Sequence, residues 1–248
     1  MTLLTDDFVF IHVPKTGGTF VIHVFTGVGA TAVAHTTPEY LPARWRATCP
    51  GPHWTAAQIP PSHKHLPHLA ARRNPWSWYV SWHEFHQWHL SISGGRKIVE
   101  NTPWARASAI GTHGFKDTIR NLLSAGSVTG AAEAAHLKAR QTFGEDRTGK
   151  YCCTFVHQAH LCLDEALEPK YNTDITYIRQ EHLRQDLCDF LRRFDEIPPE
   201  MEKEIMEGPR RNVQAERDYR TYYDDKTIEL IANADKTFIE KFGYTFEK

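Results

Sequence analysis

Long apolar runs are missing from this sequence. The apolar stretch before the first glycine pair is short and is preceded by Asp6 and Asp7. Neither a signal peptide nor a membrane-inserted segment is therefore expected, and the reading at this point is a cytoplasmic protein. Cysteine is sparse. Cys49, Cys152, Cys153, Cys162 and Cys188 make an odd count with no Cys-x-x-Cys pair, which argues for buried thiols and against a disulfide framework or a zinc knuckle. Excess charge of either sign is lacking too: 29 Lys and Arg against 30 Asp and Glu leave a net charge of −1. Proteins that grip nucleic acid through its phosphates are usually strongly basic, so nucleic acid is not the expected partner. No composition break forces a second domain on 248 residues of which 41% are hydrophobic, and a single domain over 1–248 is expected.

What the chain does have is a strand joined directly to a glycine turn, Phe8 to Phe20, FVFIHVPKTGGTF. Phe8 to Val13 are aromatic or β-branched apart from His12, as in a buried parallel strand. Pro14 ends the strand, Gly17 and Gly18 allow dihedrals that side chains forbid, and a first helix is expected from Thr19 to about residue 28. Amides of such a turn, at the positive end of a helix, converge on a small volume that favours an anion, and Lys15 adds a full charge. Nucleotide-triphosphate loops carry Lys after the glycines, followed by a magnesium-binding hydroxyl; here Lys precedes the glycines, and no Lys-Ser or Lys-Thr pair follows them.

A second anion motif follows in LAARRNPWSWYVSW, Leu69 to Trp82. Leu69 to Arg72 read as a short parallel strand, with Asn74 as N-cap and Pro75 as first residue of a helix to about Leu90. Arg73 then stands at the carboxyl end of the strand, where open α/β sheets bind ligands, with Arg72 as its rival if the register slips by one. Ser81 lies on the helix that follows, and an arginine fork with a hydroxyl suits a doubly charged phosphate.

HVPKTGGT followed by RNP and Ser81 resembles the two donor-binding motifs of sulfotransferases that use 3′-phosphoadenylyl sulfate (PAPS), in the branch of the Golgi carbohydrate sulfotransferases and their bacterial relatives. The resemblance implies a three-layer, P-loop-like α/β fold with a central parallel sheet flanked by helices. It implies a 5′-phosphosulfate cradle from Lys15, Thr16, Gly17, Gly18, Thr19 and Phe20, and a 3′-phosphate site from Arg73 and Ser81. A basic loop before the last helix closes over that phosphate in relatives; Arg210 and Arg211 stand there in PRRNVQAERDYR, with Arg217 in reserve. PAPS is then the donor cosubstrate, no metal is required, and the acceptor is a hydroxyl or amine of a small molecule or carbohydrate.

An alcohol acceptor needs a base, and histidine is suited to that near neutral pH. His53, in PHWTAAQIP, is the first candidate and His35, in AHTTPEY, the second; both lie in a Pro-rich irregular stretch between the two anion motifs. His83, His86 and His89 recur every three residues, a step that drifts around a helix, so a polar aromatic surface is preferred to a metal site. A helical pattern over 104–142 carries no visible chemistry. Ile175 to Ile178 read as a third strand, followed by RQEHLRQDLCDFLRRF as a helix. Arg179 and Glu181 match a family segment in which Gln180 replaces a common aromatic. A P-loop phosphotransferase and a non-catalytic adenosine 3′,5′-bisphosphate-binding module remain as alternatives.

Overall fold

Val9, Phe10 and Ile11 carry side chains that water solvates poorly on either side of the pleat, and all three are fully buried. The computed structural model describes residues 2–27, 37–49, 56–91, 113–123, 175–209 and 218–247. It divides into two units, Met1–Arg73 with Cys162–Val213 and Asn74–Leu161 with Gln214–Lys248.

The first unit holds the sheet: β1 (Leu3–Leu4), β2 (Val9–Ile11), β3 (His68–Arg72) and β4 (Ile175–Arg179), in that spatial order. β2, β3 and β4 are parallel, with Val9 opposite His68 and Arg72 opposite Arg179. The expectation of a purely parallel sheet fails at one edge, because β1 runs antiparallel to β2. Its cause is local. Thr5 Oγ1 accepts from the Asp7 and Phe8 amides and donates to Phe8 O at 2.8 Å, folding the chain back on itself. So short a connection can join only antiparallel strands, since parallel ones need a crossover.

α1 (Gly18–Thr26) follows the glycine turn and is ended by Gly27 at φ 67°, close to the expected span. α4 (Leu183–Leu191) and α5 (Pro199–Glu207) complete the unit. Phe8 and Phe10 share one core with Val21, Ile22 and Phe25 of α1, Leu187 and Phe190 of α4 and Met201 of α5. Phe8 meets Phe25 and Phe190 edge to face at 5.6 and 5.2 Å. Each such buried ring is worth about 2 kcal/mol of removed apolar surface.

One core position is polar. His68 opens β3 with 3% exposure, and among the described residues neither ring nitrogen finds a hydrogen-bond partner. Burial pulls its pKa from 6.5 down to about 4, so the fold holds it neutral. The unfolded chain binds the proton first, and stability is lost as pH falls from about 6.5 through about 4, by about 3 kcal/mol. Denaturant midpoints at pH 7 and pH 4 are expected to lie closer together in His68→Leu than in the parent protein; equal separation would refute this.

The second unit is helical: α2 (Pro75–Ser91), α3 (Phe115–Leu123), α6 (Asp225–Ala234) and α7 (Lys236–Phe242). Asn74 Oδ1 accepts from the Trp76 amide at 3.1 Å with Pro75 at the first position, the start that the sequence reading expected. Asp224 and Thr227 form a reciprocal capping box on α6. Trp76, Trp78 and Trp82 are buried and Trp88 is half-exposed, so the tryptophan run on α2 is mainly core. Tyr223 ties the unit together by donating to Trp76 O at 2.7 Å. Of the helical pattern expected over 104–142, the described residues include α3, whose Phe115, Ile119 and Leu122 point inward.

The architecture is therefore α/β, with a four-stranded mixed sheet and seven α-helices among the described residues.

Candidate functional site

The carboxyl ends of the parallel strands lie in the first unit, and the chain leaves β2 there through Pro14 to Gly17. Thr16 is fully buried and its hydroxyl donates to Val13 O at 2.7 Å, tying the turn back to the strand end. Gly17 takes φ 92° and caps α1, and the Phe20 amide closes the first turn onto Gly17 O at 2.9 Å. Gly18 and Thr19 open the helix, so their amides belong to its positive end. The ring of Phe20 joins the core, with the Arg184 guanidinium 4.8 Å from its centroid.

Gly17 and Gly18 are glycines for different reasons. Gly17 has the positive φ that the sequence suggested, but Gly18 does not. A Cβ on Gly18 would stand 2.0 Å from Cδ2 and 2.9 Å from Cγ of His12, so the imidazole lies directly behind the turn. The residue that shares the left-handed region is Lys15, at φ 66°. For a side chain with a Cβ that conformation costs about 1 kcal/mol, strain of the kind that collects at functional sites.

Arg73 comes to the same turn. Its Nη1 donates to Lys15 O at 3.1 Å, whereas Arg72 stays in the ladder opposite Arg179, so it is Arg73 that reaches the lysine. Burial first, and the like charge of Arg73 second, pull the Lys15 ammonium from 10.5 down to about 8. Two cations held side by side in a partly buried turn form a place where an anion relieves a standing repulsion.

Arg179 is committed elsewhere. Its Nε and Nη2 donate to Asp186 at 2.9 and 2.7 Å, and the guanidinium holds that carboxyl below its usual range. The segment it opens nevertheless reaches the turn: a Cβ on Gly17 would lie 2.7 Å from Leu183 Cδ2 and 3.4 Å from Gln180 Cγ. His12 and Gln180 are thus turn residues that sequence reasoning did not assign. His12 carried a faint signal, as the polar interruption of an apolar strand; Gln180 carried none.

Ser81 sits in the second turn of α2, in the second unit, while Lys15 and Arg73 belong to the first. His35, His53, Arg210 and Arg211 lie outside the described residues. His83 packs edge-on against Phe115 at 5.4 Å, and His86 Nδ1 lies 2.7 Å from Trp82 O. Among the described residues no three His, Cys, Asp or Glu side chains gather as a metal set. Cys188 is a buried core thiol and Cys49 a partly buried one.

No family model matches the chain, and no curated protein or solved structure is significantly similar to it.

Proposed function

We propose that the chain is a PAPS-dependent sulfotransferase, with the turn from Lys15 to Thr19 as the seat of the donor's 5′-phosphate end, on a P-loop-like arrangement of strand, turn and helix. The observation that carries the reading is the pairing of Lys15 with Arg73 at a glycine turn on a helix N-terminus. The residues suit the ligand. A turn with two cations and converging amides answers the charge of a phosphosulfate without a metal, and burial, with the Arg73 charge second, depresses the Lys15 pKa there.

PAPS supplies an activated sulfuryl group, and its transfer leaves charge on the 5′-phosphate. Lys15 and the amides that open α1 would hold that charge, acting as preorganised donors aimed where it develops. Arg73 would bind the 3′-phosphate by the rest of its fork while its Nη1 keeps the backbone of Lys15 in place. The 3′-phosphate roles that the resemblance gives to Arg73 and Ser81, and the loop role of Arg210 and Arg211, belong to the same proposal. His53, with His35 second, would take the proton of an alcohol acceptor. The acceptor class remains a small-molecule or carbohydrate hydroxyl, or an amine.

The test is titration calorimetry with adenosine 3′,5′-bisphosphate in EDTA, followed by labelled PAPS against mixed sugar, phenol and peptide acceptors. Binding and transfer without Mg²⁺ are expected. A strict Mg²⁺ requirement would point to a phosphotransferase, and binding without transfer to any acceptor would point to a nucleotide-binding module. In His53→Ala, bisphosphate affinity should be unchanged and turnover should fall by about 100-fold or more. Unchanged turnover would move the base to His35.

A further inference from the structure

Gly17 has a neighbour whose chemistry the proposed reaction has not used. β4 ends at Arg179, opposite Arg72 of β3, and residues 180–182 make a single tight turn before α4 begins at Leu183. That turn brings Gln180 Cγ and Leu183 Cδ2 to the space a Gly17 side chain would fill. Leu183 is spent on packing against the core, and Arg179 is held bidentately by Asp186. Gln180 is partly buried, and its carboxamide, one bond beyond Cγ, makes no hydrogen bond among the described residues. A glutamine can both donate and accept, and one kept beside a ligand turn without an internal partner has its hydrogen-bonding capacity in hand.

We propose that Gln180 is a specificity-determining residue of this site, its carboxamide donating to an oxygen of the phosphate seated in the glycine turn. The assignment rests on the anion reading of that turn. Lys15 and Arg73 already supply full charges, which attract any anion from any direction. A neutral, directional donor adds what they lack, a preference for an oxyanion placed over Gly17. An aromatic at this position would offer a ring face and no comparable amide donor.

The experiment compares the full chain with Gln180→Leu, which removes the amide at similar size, and Gln180→Glu, which replaces it by a carboxylate of the same shape. Affinities for adenosine 3′,5′-bisphosphate and inorganic pyrophosphate are measured by calorimetry, with thermal midpoints as the folding control. Both variants should fold as the parent does, because the side chain makes no hydrogen bond among the described residues. Loss of one hydrogen bond to a charged group should weaken both probes about 10-fold in Gln180→Leu, and like-charge repulsion about 100-fold in Gln180→Glu. Gln180→Leu binding both probes as tightly as the parent would overturn the proposal, even if the glutamate weakened them, since charge alone would then explain the effect. If the parent binds pyrophosphate and ignores the bisphosphate, the nucleotide reading fails while Gln180 is still tested by pyrophosphate. If the parent binds neither probe, both fall.

Discussion

Lys15→Met is expected to abolish most of the proposed transferase activity while leaving the ligand-free protein at least as stable as the parent. Removing one preorganised donor from developing charge lowers turnover by about 100- to 1,000-fold, and the loss here includes a full cation. Stability should move the other way. The fold holds the Lys15 ammonium among buried groups and next to Arg73, which is why its pKa drops from 10.5 to about 8. Below pH 8 the lysine is protonated in both states, and the folded state bears the whole penalty, a few kcal/mol. Between about 8 and 10.5 the unfolded chain binds more protons than the fold, so stability rises with pH across that window. Methionine keeps length and removes the charge, so the variant should melt higher at pH 7 and lose that pH-dependent rise. The strained φ of 66° is common to both proteins and cancels in the comparison.

On the proposed reading, the same lysine should set the pH range of binding. A phosphate site built on an ordinary lysine holds its charge until about pH 10. This one should begin to lose affinity for adenosine 3′,5′-bisphosphate near pH 8, and at that pH binding should draw protons from the buffer. Calorimetry in two buffers of different ionisation heat measures the uptake. An unchanged bisphosphate affinity in Lys15→Met, or no proton uptake at pH 8, would remove Lys15 from the site.

The glycine turn was legible because its signals are local. An apolar strand, a proline, two glycines and a helix pattern all occur within Phe8 to Phe20, and Asn74-Pro75 announced α2 in the same way. What was hidden depends on residues far apart in the chain. β1 was missed because two leucines are too few to carry a period, and Thr5 makes its turn through a side chain rather than through glycine or proline. Neither the packing of His12 against Gly18 nor the approach of Gln180 to Gly17 leaves a mark in composition or spacing, because both follow from how the elements fold together. Arg73 was placed at the strand end by register, yet its bond to the Lys15 carbonyl spans 58 positions and could be seen only in three dimensions. The left-handed Lys15 had no sequence signal, since glycine is the usual occupant of that conformation.

Gly18→Ala should be strongly damaging. Gly18 lies in ordinary helical backbone, so alanine would normally be favoured there by helix propensity. The obstacle is His12, whose Cδ2, Nε2 and Cγ would lie 2.0, 2.6 and 2.9 Å from the new methyl. Rotating the end of a flexible chain cannot relieve this, because Cγ sits at the root of a ring that is itself buried and stacked near Phe10 at 6.3 Å. Either the imidazole leaves its place or the turn moves outward, and overpacking of this kind costs about 3 kcal/mol. An outward shift would also carry the Gly18 and Thr19 amides off the proposed anion, and a misplacement of about 1 Å is enough for a 100-fold loss of turnover. His12→Ala removes the obstacle, so His12→Ala/Gly18→Ala should recover most of what Gly18→Ala loses, in both thermal stability and bisphosphate affinity. A coupling energy of about 2 kcal/mol between the two positions is expected from the double-mutant cycle. Additive effects, or a Gly18→Ala protein as stable and active as the parent, would mean that the imidazole does not back the turn in solution.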